Sequence, residues 1–130
     1  MFSNRRSTAV VAALAALVLS STALAAGGGL VGTYSTTVKS PAQLKGKWAI
    51  TFAKRGTYTV ALNGETVARG RYTSTATTVT LDRERGSGCT GAGTYAWRNA
   101  GMIVTFTRKR ESPSCQARAL VLSHRFTQVR

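Results

Sequence analysis

From Val31 to Gln128, apolar residues recur at every second position in short segments rich in Thr, Val, Tyr and Phe, with Gly or Asn between the segments. Successive side chains on a strand point to opposite faces, so a period of two predicts half-buried β-strands. Eight segments carry it: Val31 to Val38, Gly46 to Ala53, Thr57 to Leu62, Thr66 to Thr73, Thr77 to Asp82, Gly93 to Arg98, Met102 to Arg108 and Ala117 to Gln128. The links Lys54-Arg55-Gly56, Asn63-Gly64 and Asn99-Ala100-Gly101 are short and hold residues that tolerate positive φ, as hairpins require. The strand order is then a meander. Only Ser40 to Lys45 predicts a brief helical turn, with Ser40 as N-cap and Pro41 at its first position.

The same alternation selects an inside. Trp48, Ile50 and Phe52 share a face, as do Tyr58, Val60 and Leu62, Val79 and Leu81, Tyr95 and Trp97, Met102, Val104 and Phe106, and Leu120, Leu122 and Phe126. Thr and Ala mostly cover the other side. Eight one-sided strands paired in sequence would leave two bare edges, which closure into a barrel removes. The predicted fold class is therefore all-β, a single small antiparallel up-and-down barrel; a flattened two-sheet sandwich shares the alternation and is the alternative. The inward aromatics Trp48, Phe52, Tyr58, Tyr72, Tyr95, Trp97 and Phe106 either fill such a barrel or line a cup at one end for a small apolar guest, which the hydroxyls of Tyr58, Tyr72 and Tyr95 would orient.

What precedes the strands is of another kind. Two cations lie in Met1 to Arg6, an uncharged apolar run follows to Leu19, and Ala23-Leu24-Ala25 is a small-x-small triplet. That is the grammar of a secretory signal peptide over residues 1–25, cleaved before Ala26. The run is shorter than the ~20 residues a spanning helix needs, so a membrane-spanning product is not expected. Arg5-Arg6 lacks the apolar residues that usually follow a twin-arginine pair, which favours the ordinary export route. The mature domain is residues 26–130, with 26–30 as a flexible leader.

Export changes the meaning of the two cysteines. In an oxidising compartment Cys89 and Cys115 are expected to form one disulfide. In a meander the fifth and seventh links, which hold them, lie at the same end of the barrel, so the bridge is topologically easy. Two Cys and one distant His do not make a four-ligand zinc shell, and no metal or cofactor is expected.

Composition narrows function further. The chain of 130 residues has 18 Lys and Arg against 4 Asp and Glu, a formal net charge of +14, and a single His. With Glu65, Asp82, Glu84 and Glu111 as the only acids, all expected in or near links at one end of an otherwise apolar barrel, an enzyme is not expected. His124 shares the parity of Leu120 and Leu122 and is expected to be a partly buried strand residue. The Gly-rich stretch Gly86 to Gly93 lacks the Lys and following helix of a phosphate-binding loop. The cations are expected at both ends of the barrel, with a basic patch at Arg108-Lys109-Arg110. That spread is unlike the gathered, aromatic-interleaved charge of a nucleic-acid groove, so no specific nucleic acid is expected.

Leu44-Lys45-Gly46-Lys47-Trp48, a helical turn leading into a long strand through Gly-x-Trp, resembles the opening signature of the lipocalins and related calycins, here of a small, secreted, bacterial type. Gly56-Thr57-Tyr58, Gly70-Arg71-Tyr72 and Gly93-Thr94-Tyr95-Ala96-Trp97 accord with it. The resemblance implies a barrel that holds a small apolar ligand, with Trp48 packed across the closed end under an arginine near the end of the last strand, for which Arg125 is the candidate. The mature chain is shorter than a typical lipocalin and carries an extra strand before the Gly-x-Trp segment. The stretch Leu44 to Tyr72 also resembles avidins more weakly, without matched biotin-contacting residues. Three functions are thus expected in turn: a monomeric, secreted, non-enzymatic binder of a small apolar or amphipathic ligand; a basic protein adhering to an anionic polymer or phospholipid surface; and an inhibitor presenting the Cys89 or Cys115 loop to a protein partner.

Overall fold

The computed structural model describes residues 29–130, so the predicted signal peptide and residues 26–28 of the leader lie outside the described residues. Strands form where the period of two places them: β1 (Gly32–Val38), β2 (Gly46–Phe52), β3 (Thr57–Leu62), β4 (Glu65–Ser74), β5 (Thr78–Arg85), β6 (Gly93–Ala100), β7 (Ile103–Arg110) and β8 (Phe126–Val129). Each pairs antiparallel with the next, and β8 returns to β1, so the meander closes into a barrel. Asn63 and Gly64, both at positive φ, make the tight β3–β4 turn. The helical turn before β2 spans Ala42–Leu44, with Pro41 at its cap rather than inside it.

The last predicted strand is mostly not a strand. Gln116–Leu122 forms a helix, α1, and β8 is only four residues long. Apart from Val121, Gln-Ala-Arg-Ala-Leu-Val-Leu is a run of good helix formers. On α1, Arg118, Val121 and Leu122 share the i, i+3, i+4 face turned to the barrel, while Leu120, expected inside, is 48% exposed. His124 is half-buried in the turn after α1, where its Nδ1 lies 3.0 Å from the Leu120 carbonyl oxygen, at the helix C-terminus.

The short β8 leaves the seam half closed. It pairs with Thr33 to Ser35 of β1 but only with Ile103 and Val104 of β7, and α1 packs beside the remainder of β7. The Cys89–Cys115 disulfide ties the β5–β6 link to the start of α1. At the opposite end, Trp97 Nε1 donates to the carbonyls of Thr75 and Thr78 at 3.1 and 3.2 Å. Between the ends Phe52 sits edge-on to Tyr72 with centroids 4.8 Å apart, and Phe106 to Phe126 at 5.6 Å. Leu30, expected in a flexible leader, is fully buried, and its carbonyl accepts from the Tyr34 hydroxyl at 3.0 Å.

Candidate functional site

The half of the barrel near the disulfide is hollow. A cavity of about 300 Å³ lies there, walled by Trp48 and Ile50 of β2, Val60 and Leu62 of β3, and Val121 and Leu122 of α1, with Leu44, Cys89 and Cys115 also on its lining. Trp48 is fixed by its indole N–H, which donates to the Leu44 carbonyl at 2.7 Å. The two halves of the barrel therefore differ: aromatic rings fill one, and mostly aliphatic side chains, with Trp48, Tyr58 and Phe126, surround space in the other.

Charged groups enter this cavity where the sequence predicts only apolar side chains and tyrosine hydroxyls. Glu84, Ser87, Arg118 and Tyr58 all line it, and the side chains of Glu84, Glu111 and Arg118 are only 5%, 1% and 6% exposed. Arg118 donates from Nε and Nη2 to the two Glu111 carboxylate oxygens at 2.9 and 2.6 Å, and from Nη2 to the Gly91 carbonyl at 2.9 Å. Its Nη1 lies 3.5 Å from Glu84 Oε1 and has no hydrogen-bond partner. The Tyr58 hydroxyl donates to Glu84 at 2.7 Å, the Ser87 hydroxyl donates to the same carboxylate, and the Tyr95 hydroxyl donates to Glu111.

Two β-bulges bring the acids inside. On β5, Asp82 pairs with Arg71 and Arg85 with Arg69, so three steps along β5 match two along β4, and the extra residue falls at Arg83, whose φ is +54°. Leu81 points inward, and the added residue turns Glu84 inward as well. On β7, Arg108 pairs with Tyr95 and Arg110 with Thr94, which makes Lys109 the extra residue and brings Glu111 to the inner side beside Gly93. Glu111 leans on a glycine of a neighbouring strand, and so does Tyr58, the donor to Glu84. A Cβ on Gly93 would meet the Glu111 carboxylate at 2.5 Å and Arg118 at 2.7 Å, and one on Gly70 would strike the Tyr58 ring at 2.7 Å.

Burial alone would raise the Glu111 carboxyl, but hydrogen bonds from Arg118, Tyr95 and the Ser112 N–H outweigh it and hold its pKa below the usual carboxylate range. For Arg118, burial disfavours the cation, and the Glu111 bonds and charge more than restore it. Burial first, and then the Glu84 and Glu111 carboxylates, push the Tyr58 and Tyr95 phenols far up. Both phenols thus stay protonated donors.

The predicted lining residues separate. Trp48 and Tyr58 reach the cavity; Phe52, Tyr72, Trp97 and Phe106 pack in the filled half, and Tyr95 is buried with its hydroxyl on Glu111. Trp48 is a wall of the hollow end, not a plug across a closed one, and Arg125 is exposed. The buried arginine is Arg118, the one cation in an otherwise apolar run of α1, and that isolation was its signal in the sequence. Arg108, Lys109 and Arg110 are exposed at the disulfide end of β7. Compared with protein-family models, curated proteins and solved structures, the chain matches none. Among the described residues no helix is long and apolar enough to cross a membrane.

Proposed function

We propose that this protein is a secreted, monomeric, non-enzymatic barrel of lipocalin-like type that binds one small apolar or amphipathic molecule in the hollow half of the barrel. The cavity carries this reading. Its volume of about 300 Å³ stands at the lower end of ligand pockets, which run from ~300 to ~1,000 Å³, and mostly apolar walls with a few convergent polar groups are their usual make-up. At ~30 Å³ for a water-sized group, it would accept a guest of roughly ten heavy atoms. Trp48, Ile50, Val60 and Leu62 would cover the apolar body, and Glu84, Ser87 and Arg118 would face its polar end.

Titration with the neutral fluorescent probe 2-naphthol, whose size matches that guest, tests the reading. Saturable binding at micromolar protein, with one site per chain, is expected, and Val121→Trp should abolish it by filling the cavity while far-ultraviolet circular dichroism stays unchanged. If wild type gives no saturation, or if Val121→Trp binds as well as wild type, the cavity is not a ligand site.

A further inference from the structure

The structure gathers positive charge on a face other than the one predicted. Alternation along β4 puts Arg69 and Arg71 outside, both exposed, while Ala68 and Tyr72 point in. Arg69 is directly opposite Arg85 in the β4–β5 ladder. Exposed Arg83 stands in the bulge between them, and Arg55, whose Nε donates to Thr57 Oγ1 at 3.3 Å, extends the group toward Arg71 through the Thr57–Arg71 pair. Five arginines thus share the outer face of β3 to β5.

A single acid on this face offsets them in part: Asp82 stands opposite Arg71 in the ladder, with its carboxylate on the Arg83 backbone N–H at 2.7 Å, while two of the four carboxylates are inside with Arg118. Both ion pairs among the described residues belong to Arg118, and neither includes any of the five. Like charges directly opposite on a ladder cost stability, so Arg69 facing Arg85 is an unfavourable arrangement unless an anion lies between them. Arginine adds a fork of donors that matches phosphate oxygens two at a time.

The face also limits what that anion is. Every Trp, Tyr and Phe among the described residues is buried, so no ring is offered for bases or sugars to stack on. Thr57, Thr59 and Ala61 supply the outward side chains on β3. Arg69 and Arg71 stand two residues apart on an extended strand, about 6.6 Å by strand geometry, which suits charges repeating along an extended chain.

We infer that the outer face of β3 to β5 is a binding surface for a linear phosphate polymer that carries neither bases nor sugars, held by Arg55, Arg69, Arg71, Arg83 and Arg85. The surface lies outside the barrel and is independent of the cavity.

Two charge-matched variants test it, with inorganic polyphosphate as the probe. Arg69→Ser/Arg85→Ser and Lys109→Ser/Arg110→Ser each remove two exposed positive charges. The first should weaken polyphosphate binding by about tenfold and flatten the dependence of log affinity on log salt by roughly one to two; the second should change affinity less than about threefold. Because Arg69→Ser/Arg85→Ser removes a like-charge pair, its urea midpoint should equal or exceed that of wild type. Equal losses in the two variants would mean that net charge alone is responsible and would overturn the assignment. Tighter binding of wild type to oligo-deoxythymidine or heparin than to polyphosphate of equal charge would overturn the choice of a polymer without bases or sugars.

Discussion

Glu111 and Arg118 form a two-point ion pair inside the barrel, Nε to Oε2 at 2.9 Å and Nη2 to Oε1 at 2.6 Å, with the carboxylate 1% exposed. The pair joins the end of β7 to α1 across the stretch where β8 fails to pair. A barrel with a short last strand thus uses a helix to cover the gap, and a buried ion pair with the Cys89–Cys115 bridge holds that helix in place. The helix in turn supplies Val121 and Leu122 to the cavity wall.

Removing one member of a buried pair leaves the other uncompensated, at a cost of about 3–5 kcal/mol. Glu111→Gln and Arg118→Met should each lower unfolding stability in urea by roughly that amount. The double variant should be less destabilised than the sum of the two, because no unpaired partner of the bond remains. Additive losses would show that the two side chains are not coupled.

The sign of the Glu111 shift gives a pH signature. A carboxyl whose folded pKa lies below its unfolded value of about 4.3 adds stability above that pH, and the stability is lost as pH falls through the folded value. The difference in urea midpoint between wild type and Glu111→Gln should therefore be constant near neutrality and shrink once pH drops below about 4.3. A difference that persists undiminished into strong acid would contradict an ionised Glu111 in the native state.

Much of the fold is legible in the sequence because burial here is one-sided, and one-sided burial forces alternation. Trp48, Ile50, Phe52, Tyr58, Val79, Leu81, Tyr95, Trp97, Val104 and Phe106 all point inward as that alternation requires. The polar cluster escapes for the same reason. Counted straight from Leu81 and Phe106, Glu84 and Glu111 fall on the outside, and only an extra residue at Arg83 and at Lys109 reverses them. Neither bulge carries the glycine that would announce it; the matching glycines, Gly70 and Gly93, sit on the neighbouring strands. In Ala117 to Leu122, apolar residues two apart at Leu120 and Leu122 imitate a strand, and the helical reading depends on packing against the barrel. The hollow half follows from α1 and could not be read from strands alone.

All four tyrosines are constrained. Tyr34 and Tyr72 donate to the backbone carbonyls of Leu30 and Ala53, and Tyr58 and Tyr95 to carboxylates. Burial raises every one of these phenols, Tyr72 to about 12. Folded values above the unfolded pKa of about 10 mean stability that is fully present below that pH and lost as pH rises through the folded values. Phenolate absorbance of the native protein should stay flat through about pH 10 and then rise together with loss of structure, whereas the urea-unfolded chain should titrate at its ordinary value. Reversible titration of any tyrosine near pH 10 with the fold intact would be inconsistent with these hydrogen bonds.

Arg83 separates the geometry of the β5 bulge from its chemistry. A non-glycine residue in the left-handed region, here at φ +54°, carries a cost of roughly 1–2 kcal/mol, which glycine avoids while adding ~0.5–1 kcal/mol of unfolded-chain freedom. Arg83→Gly should therefore keep or raise unfolding stability in urea by up to ~1 kcal/mol, while Arg85→Gly, in the paired strand beyond the bulge, should lower it by about 0.5–1 kcal/mol. Deleting Arg83 is a different matter. Without the extra residue the strand regains its straight count, Glu84 turns outward, Arg118 loses its second carboxylate and the Tyr58 hydroxyl its acceptor, so a loss of at least about 3 kcal/mol is expected. A deletion variant as stable as Arg83→Gly would show that the bulge does not deliver Glu84 to the interior.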